Sequence, residues 1–191
     1  MNYRLSAPAL LGALLILAPT AHAIEFNQFQ PGKSTLSFVS KQMNVPVEGR
    51  FKSFRSKLSF DPAKPAAARA EFEIDLASID AGSKDADDEV AGKAWFNTKE
   101  FPVARFVATS VKPLGGNRFE VAGKMSIKGK TLDLATPVSV TRQGNSATFD
   151  GNLVLKRADY GIGEGIWADF GTVANEVQIK FRLVATAAAA K

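Results

Sequence analysis

The sequence predicts an all-β fold, an antiparallel β-barrel with one short helix, and three observations carry that reading. Apolar and polar residues alternate through most of the chain, the mark of strands with one buried face. Only residues 84–95 show a helical pattern, and one helix cannot cover so much apolar sheet. The strands are long and joined mostly by short turns, which favours a closed barrel over a sandwich. A barrel of about eight strands either fills its interior with side chains or holds one small ligand.

The elements follow in chain order. Met1 to Ala23 reads as a secretory signal peptide, with Arg4 at its start, an apolar stretch from Leu10 to Leu17 and an Ala21-His22-Ala23 cleavage site. That stretch is shorter than the roughly 20 residues a membrane span needs. Cleavage after Ala23 leaves residues 24–191 as a single domain, expected in a bacterial periplasm and long enough to bury a core without staples. Leu36 with Phe38, Val45 to Phe51, and Leu58 with Phe60 mark three strands. Phe72, Ile74 and Leu76 then alternate with Glu71, Glu73 and Asp75. Ser83 is the expected N-cap of the helix, with Asp85, Asp87, Asp88 and Glu89 at the positive end of its dipole. Residues 104–112 give another strand, and Phe119 to Ile127 turns through Lys128-Gly129-Lys130 into Leu132 to Val140, a hairpin. Phe149 to Leu155 and Val177 to Leu183 complete the set.

Composition removes most chemistry. The chain has no cysteine, and its one histidine, His22, is lost with the leader, so no cofactor, metal or catalytic residue is expected. Neither a Ser-His-Asp mechanism nor a His- or Cys-ligated metal site can be built. A net charge of +5, carried by singly spaced Lys and Arg, fits a solvated basic surface with transient membrane-surface contact and excludes a nucleic-acid footprint. Counted from Asp85, a calcium loop would need Gly and Glu where Val90 and Phe96 stand. The run Gly161-Ile162-Gly163-Glu164-Gly165 lacks the following helix that a phosphate-binding loop requires. Glu71, Glu73 and Asp75 sit on the wet face of a strand, so a carboxylate-only hydrolase has little to work with.

Two features point to a ligand. Val47-Glu48-Gly49-Arg50-Phe51, Val121-Ala122-Gly123-Lys124-Met125 and Phe149-Asp150-Gly151-Asn152-Leu153 each place a glycine inward, either to bend the strand or to leave ligand space. Trp95-Phe96 and the segment Tyr160 to Gly171 put aromatics in loops, where they form either a lid on an apolar mouth or a packed surface loop.

Taken together, Val47-x-Gly49-x-Phe51-x-x-Phe54, Ile74-x-Leu76-x-Ser78-Ile79-Asp80-x-Gly82, Trp95-Phe96-Asn97 and Phe101-Pro102-x-Ala104-x-Phe106 resemble the YceI-like lipid- or polyisoprenoid-binding proteins. Ile127-Lys128-Gly129, Arg157-x-Asp159-Tyr160-Gly161 and Val173-x-Asn175-Glu176-Val177-x-Ile179 extend the resemblance over nearly all of the mature chain. It implies an extended, lipocalin-like antiparallel barrel around a tunnel for an isoprenoid or other long-chain lipid, quinones included, and a carrier rather than an enzyme. Many members carry a histidine soon after the helix aspartate, where this chain has Asp88-Glu89-Val90. On this reading Phe38, Phe51, Phe72, Ile74, Trp95, Phe96, Phe106, Gly123, Met125, Phe149 and Phe170 line the tunnel. Arg157, Asp159, Tyr160 and Trp167 stand near the head group. The alternative is a solidly packed barrel that binds a protein partner through its surface.

Overall fold

Alternation becomes one common interior. In the computed structural model, which describes residues 24–188, the apolar members of most alternating pairs face inward, whereas Val45 and Leu132, read from the sequence as inward, stay exposed near the ends of their strands. The leader expected over Met1 to Ala23 lies outside the described residues. The strands are β1 (Phe26–Phe29), β2 (Thr35–Gln42), β3 (Val45–Phe51), β4 (Phe54–Ser59), β5 (Arg69–Asp75) and β6 (Ile79–Asp80). The helix α1 (Lys84–Ala91) follows, then β7 (Val103–Gly115), β8 (Arg118–Ile127), β9 (Lys130–Gln143), β10 (Ser146–Lys156) and β11 (Glu176–Ala187).

All of these strands join one antiparallel sheet in the order β4-β5-β7-β8-β9-β10-β11-β2-β3-β6, with β1 added to β11. β3 and β4 are consecutive in sequence but pair with different partners: β3 with β2, and β4, after Lys52-Ser53, with β5. The chain therefore crosses from one edge of the sheet to the other, which curls the sheet on itself. β1 fills the gap left at one end. It pairs with β11, and Phe26 and Phe60 exchange backbone hydrogen bonds of 2.9 and 3.1 Å. At the other end β6 extends the sheet from β3, and the turn Leu76–Ser78 returns to β5.

Local chemistry sets the details. Lys128 and Gly129 both take positive φ, 47° and 76°, the two-residue turn whose twist suits a hairpin. A bulge between Ala108 and Ser110 shifts the register of β7 against β8, so Val111 rather than Ser110 joins the buried face. Ser83 Oγ accepts the Ala86 N–H at 3.2 Å, the expected cap. The helix stops at Ala91 rather than at 95. Gly92 leaves helical geometry with ψ 171° while its N–H still bonds Glu89 O, and Trp95 enters a turn.

Packing is graded along the barrel. At one end Phe60, 3% exposed, meets Phe119 and Phe149 edge-on at 5.2 and 5.3 Å, among buried Phe26, Val138, Val140 and Leu183. Toward the other end Leu76, Ala104, Phe106, Met125, Ile127, Tyr160 and Ile162 form a second cluster. Leu153, Leu155, Val177, Ile179 and Phe181 also face inward, yet they are only half-buried. Their exposed area looks onto open space inside the protein.

Candidate ligand-binding tunnel

That space is a cavity of about 650 Å³, walled mainly by aliphatic side chains and phenylalanines. Thr136 stands in the wall, but its hydroxyl donates to Asn152 O at 2.7 Å. Other polar lining gathers at one end: Ser40 and Gln42 on β2, Asp85 and Glu89 on α1, and Trp167 in the loop after β10. This end is the mouth, and the Phe60 cluster is the floor.

Of the residues expected in the tunnel, Phe38, Phe51, Phe72, Ile74, Trp95, Phe96, Phe106, Met125 and Phe149 line it, as do Arg157, Tyr160 and Trp167. Three lie outside the lining. Gly123 is covered by the Phe106 ring, whose nearest atoms would stand 2.6 and 2.7 Å from an added Cβ. Phe170 is half exposed and lies over the Arg157 guanidinium at 5.3 Å. Asp159 is exposed.

The three inward glycines share one arrangement. Gly49 pairs with Phe38 and Gly151 with Phe181, and in each case the ring lies directly against the glycine; Gly123 is covered in the same way by Phe106 on the adjacent strand. A missing side chain lets the ring lie down along the sheet instead of standing up into the lumen. The glycines thus seat the aromatic wall, and the space above them is filled by protein rather than left for a ligand.

Arg157 is 3% exposed, and all five of its N–H donors are engaged. Nε donates to Ala174 O, Nη1 to Ile162 O and Gly163 O, and Nη2 to Trp167 O and Val173 O, at 2.7–3.1 Å. Trp95 covers the guanidinium 5.7 Å from its ring centre. Burial lowers its pKa from the usual arginine value. With no donor free, Arg157 acts as a clasp that shapes the loop around the mouth, not as a head-group ligand. Tyr160 is buried beside it, and desolvation, then the Asp159 charge, raises its phenol pKa.

The same loop is tied at three further points. Lys128 Nζ donates to Gly161 O at 2.6 Å, to Lys93 O at 3.0 Å and to Glu164 Oε2 at 2.9 Å. That hydrogen bond and charge hold the Glu164 carboxyl below its ordinary pKa. Asp169 accepts from the Gly171 and Thr172 N–H groups and the Thr172 hydroxyl, and its pKa is lowered, chiefly by the Gly171 bond. Trp167 packs on Trp95 at 5.7 Å, and the Trp95 Nε1 beneath is buried with no hydrogen-bond partner. The segment expected as either lid or packed loop is a fastened rim.

Several lining residues were not singled out from sequence as tunnel wall, among them Leu36, Leu134, Leu153, Ile179 and Phe181. Their alternation marks an inward face but carries no sign of whether that face meets another side chain or a void. Glu71 and Glu73 lie on the outer face, paired with Arg105 and Arg55.

Comparison with known proteins agrees with this geometry. A family model described as the YceI-like domain matches residues 28–185. UPF0312 proteins of Yersinia pestis and Azotobacter vinelandii are each 29% identical over 177 residues, 88% of this chain and 90% of theirs. The crystal structure of Burkholderia cenocepacia BcnA superposes with a TM-score of 0.81 at 50% identity, over 83% of this chain and 100% of that one. A polyisoprenoid binding domain from Saccharophagus degradans shares the fold, with a TM-score of 0.69 at 20% identity over 87% of this chain and 100% of that one.

Proposed function

This chain belongs to the YceI-like family, and we propose that it is a non-enzymatic periplasmic carrier for an isoprenoid or other long-chain lipid, such as a prenylated quinone. The observation that carries this reading is the tunnel: about 650 Å³ of apolar space with its polar lining gathered at one end. Such a space fits an amphiphile whose tail runs inward and whose head stays at the mouth. Burying apolar surface contributes roughly 25 cal/mol per Å², so a long tail binds without many polar contacts. The Saccharophagus degradans domain, whose name gives a polyisoprenoid as its ligand, supports the class of molecule. The signal-like leader supports an exported protein.

The test is mass spectrometry of lipid extracted from natively purified protein, followed by titration of delipidated protein with a ubiquinone-type ligand. We expect a co-purified long-chain lipid and saturable quenching of Trp95 and Trp167 that is nearly independent of salt, because tail burial involves no exposed ion pairs. Protein that carries no lipid and shows no quenching would overturn the carrier reading in favour of an interaction module.

A further inference from the structure

We propose that four exposed apolar side chains around the mouth, Met43, Val45, Ile166 and Phe170, seat this end of the barrel on the surface of a zwitterionic phospholipid bilayer. This docking rests on the carrier reading and adds the place where the lipid is loaded. Nine large apolar side chains stand exposed among the described residues, and these four come from two segments that meet at the mouth. The segments are the β2–β3 turn and the loop after β10, and they are tied together. The Met43 N–H donates to Thr172 O and the Ala174 N–H to Lys41 O, both at 2.9 Å. Met43 and Asn44 take positive φ, 48° and 65°. A turn of that kind favours Asn, Asp or Gly, yet its first position holds a methionine that is 69% exposed. Val45 stands opposite Gln42, which lines the mouth, and two residues before Val47 in the tunnel wall, so the apolar wall continues onto the rim. Across from it, Ile166 adjoins Trp167, and Phe170 covers the Arg157 guanidinium.

Charge and area both choose the partner. The charges nearest the rim are matched within the protein: Lys84 by Asp88, Glu164 by Lys128, Glu89 by the Trp167 indole, and Asp169 by the Gly171 and Thr172 N–H groups. Those that remain are of both signs, Lys41 and Lys93 against Asp85 and Asp159, so the rim presents no single-sign face to an anionic lipid or a charged protein. Its apolar patch is on the order of a few hundred Å², short of the roughly 800 Å² per partner that a stable protein complex buries. Shallow insertion among phospholipid head groups has no such threshold, because its strength scales with the apolar surface buried.

The experiment mixes delipidated protein with phosphatidylcholine vesicles that carry a long-tailed quinone, and reads co-sedimentation and the rate of tryptophan quenching. It compares the parent with Met43→Asn, Ile166→Ser and the double variant; neither residue lines the tunnel, and Asn suits the turn. The parent is expected to co-sediment and to load at a rate that rises with vesicle concentration and is unchanged by added salt. The double variant should lose about tenfold or more in both, while its affinity for a short-tailed quinone added from solution stays that of the parent. Parent protein that remains in the supernatant, that binds only anionic vesicles and is released by salt, or that loads no faster than the double variant overturns the docking. So does a dimer in analytical ultracentrifugation that the double variant abolishes. Failure of both quinones to quench overturns the carrier reading instead, and co-sedimentation then decides the docking by itself.

Discussion

The indole N–H of Trp167 donates to Glu89 Oε1 at 2.7 Å, and this bond spans the tunnel mouth from the loop after β10 to α1. Arg157 holds the same residue by its carbonyl, so Trp167 is fixed from both sides. The bond to α1 is exposed, so water can replace it.

Trp167→Phe is therefore expected to speed ligand release more than it weakens binding at equilibrium. A hydrogen bond to a charged acceptor contributes about 1 kcal/mol or somewhat more, and a rate increase of about fivefold follows if it breaks during release. Stopped-flow displacement read from Trp95 measures this, with Glu89→Ala as the partner variant. Unchanged release in both would show that the mouth opens elsewhere.

Arg157→Lys should destabilise the protein by at least about 3 kcal/mol. Lysine offers three donors from a single point, where the guanidinium reaches five carbonyls on several sides. Thermal unfolding measures the loss, and hydrogen exchange should place the loosening in residues 161–174. A variant as stable as the parent would rule out the clasp.

Gly123→Ala and Gly151→Ala separate two kinds of crowding. At Gly123 the new methyl meets the Val107 carbonyl as well as the Phe106 ring, whereas at Gly151 the nearest atoms all belong to the Phe181 ring, which can move into the lumen. Gly123→Ala should cost about 2 to 3 kcal/mol of stability, as overpacking does. Gly151→Ala should cost less and instead weaken lipid binding. Denaturant unfolding and lipid occupancy, measured together, show whether the two effects divide this way.

Acid should loosen the mouth. Glu164 and Asp169 have pKa values held below their ordinary 4.5 and 3.8, so the unfolded loop binds protons more readily than the folded one. Their contribution is complete above those ordinary values and is lost as pH falls through the lowered ones. Asp80, bonded by the Gly82 N–H and near Lys52 and Arg50, behaves alike. At the alkaline limit Tyr160, raised above 10.0, contributes stability below that value that is lost as pH climbs through the raised pKa. Ligand release measured from pH 7 to pH 3 should accelerate at the acid end, and Asp169→Asn should bring loose behaviour to neutral pH.

Strands were the most legible part, because period-two alternation is itself a statement about which side is buried. The runs around Phe72, Phe119, Phe149 and Phe181 all face the interior in the structure. Strands β1 and β6 were not read, since Phe26–Phe29 and Ile79–Asp80 are too short to show a period and are held by pairing with distant chain. Local sequence could flag Gly123 as unusual but not name Phe106 as the ring lying on it. Arg157 was read as standing near the head group because a charge in a motif suggests a ligand, and only its five carbonyl partners reveal that its donors are already occupied.

The pairing of both N-terminal strands with β11 also dictates when the protein can fold. Phe26 lies opposite Ala187 and Phe38 opposite Ile179, contacts between opposite ends of the described chain. Such non-local pairing is slow to form, because loop entropy is lost before any contact rewards it. No barrel closes until the last strand is available to sit between β10 and β2. A chain still being synthesised stays unsealed until β11 has emerged, so its apolar interior closes late.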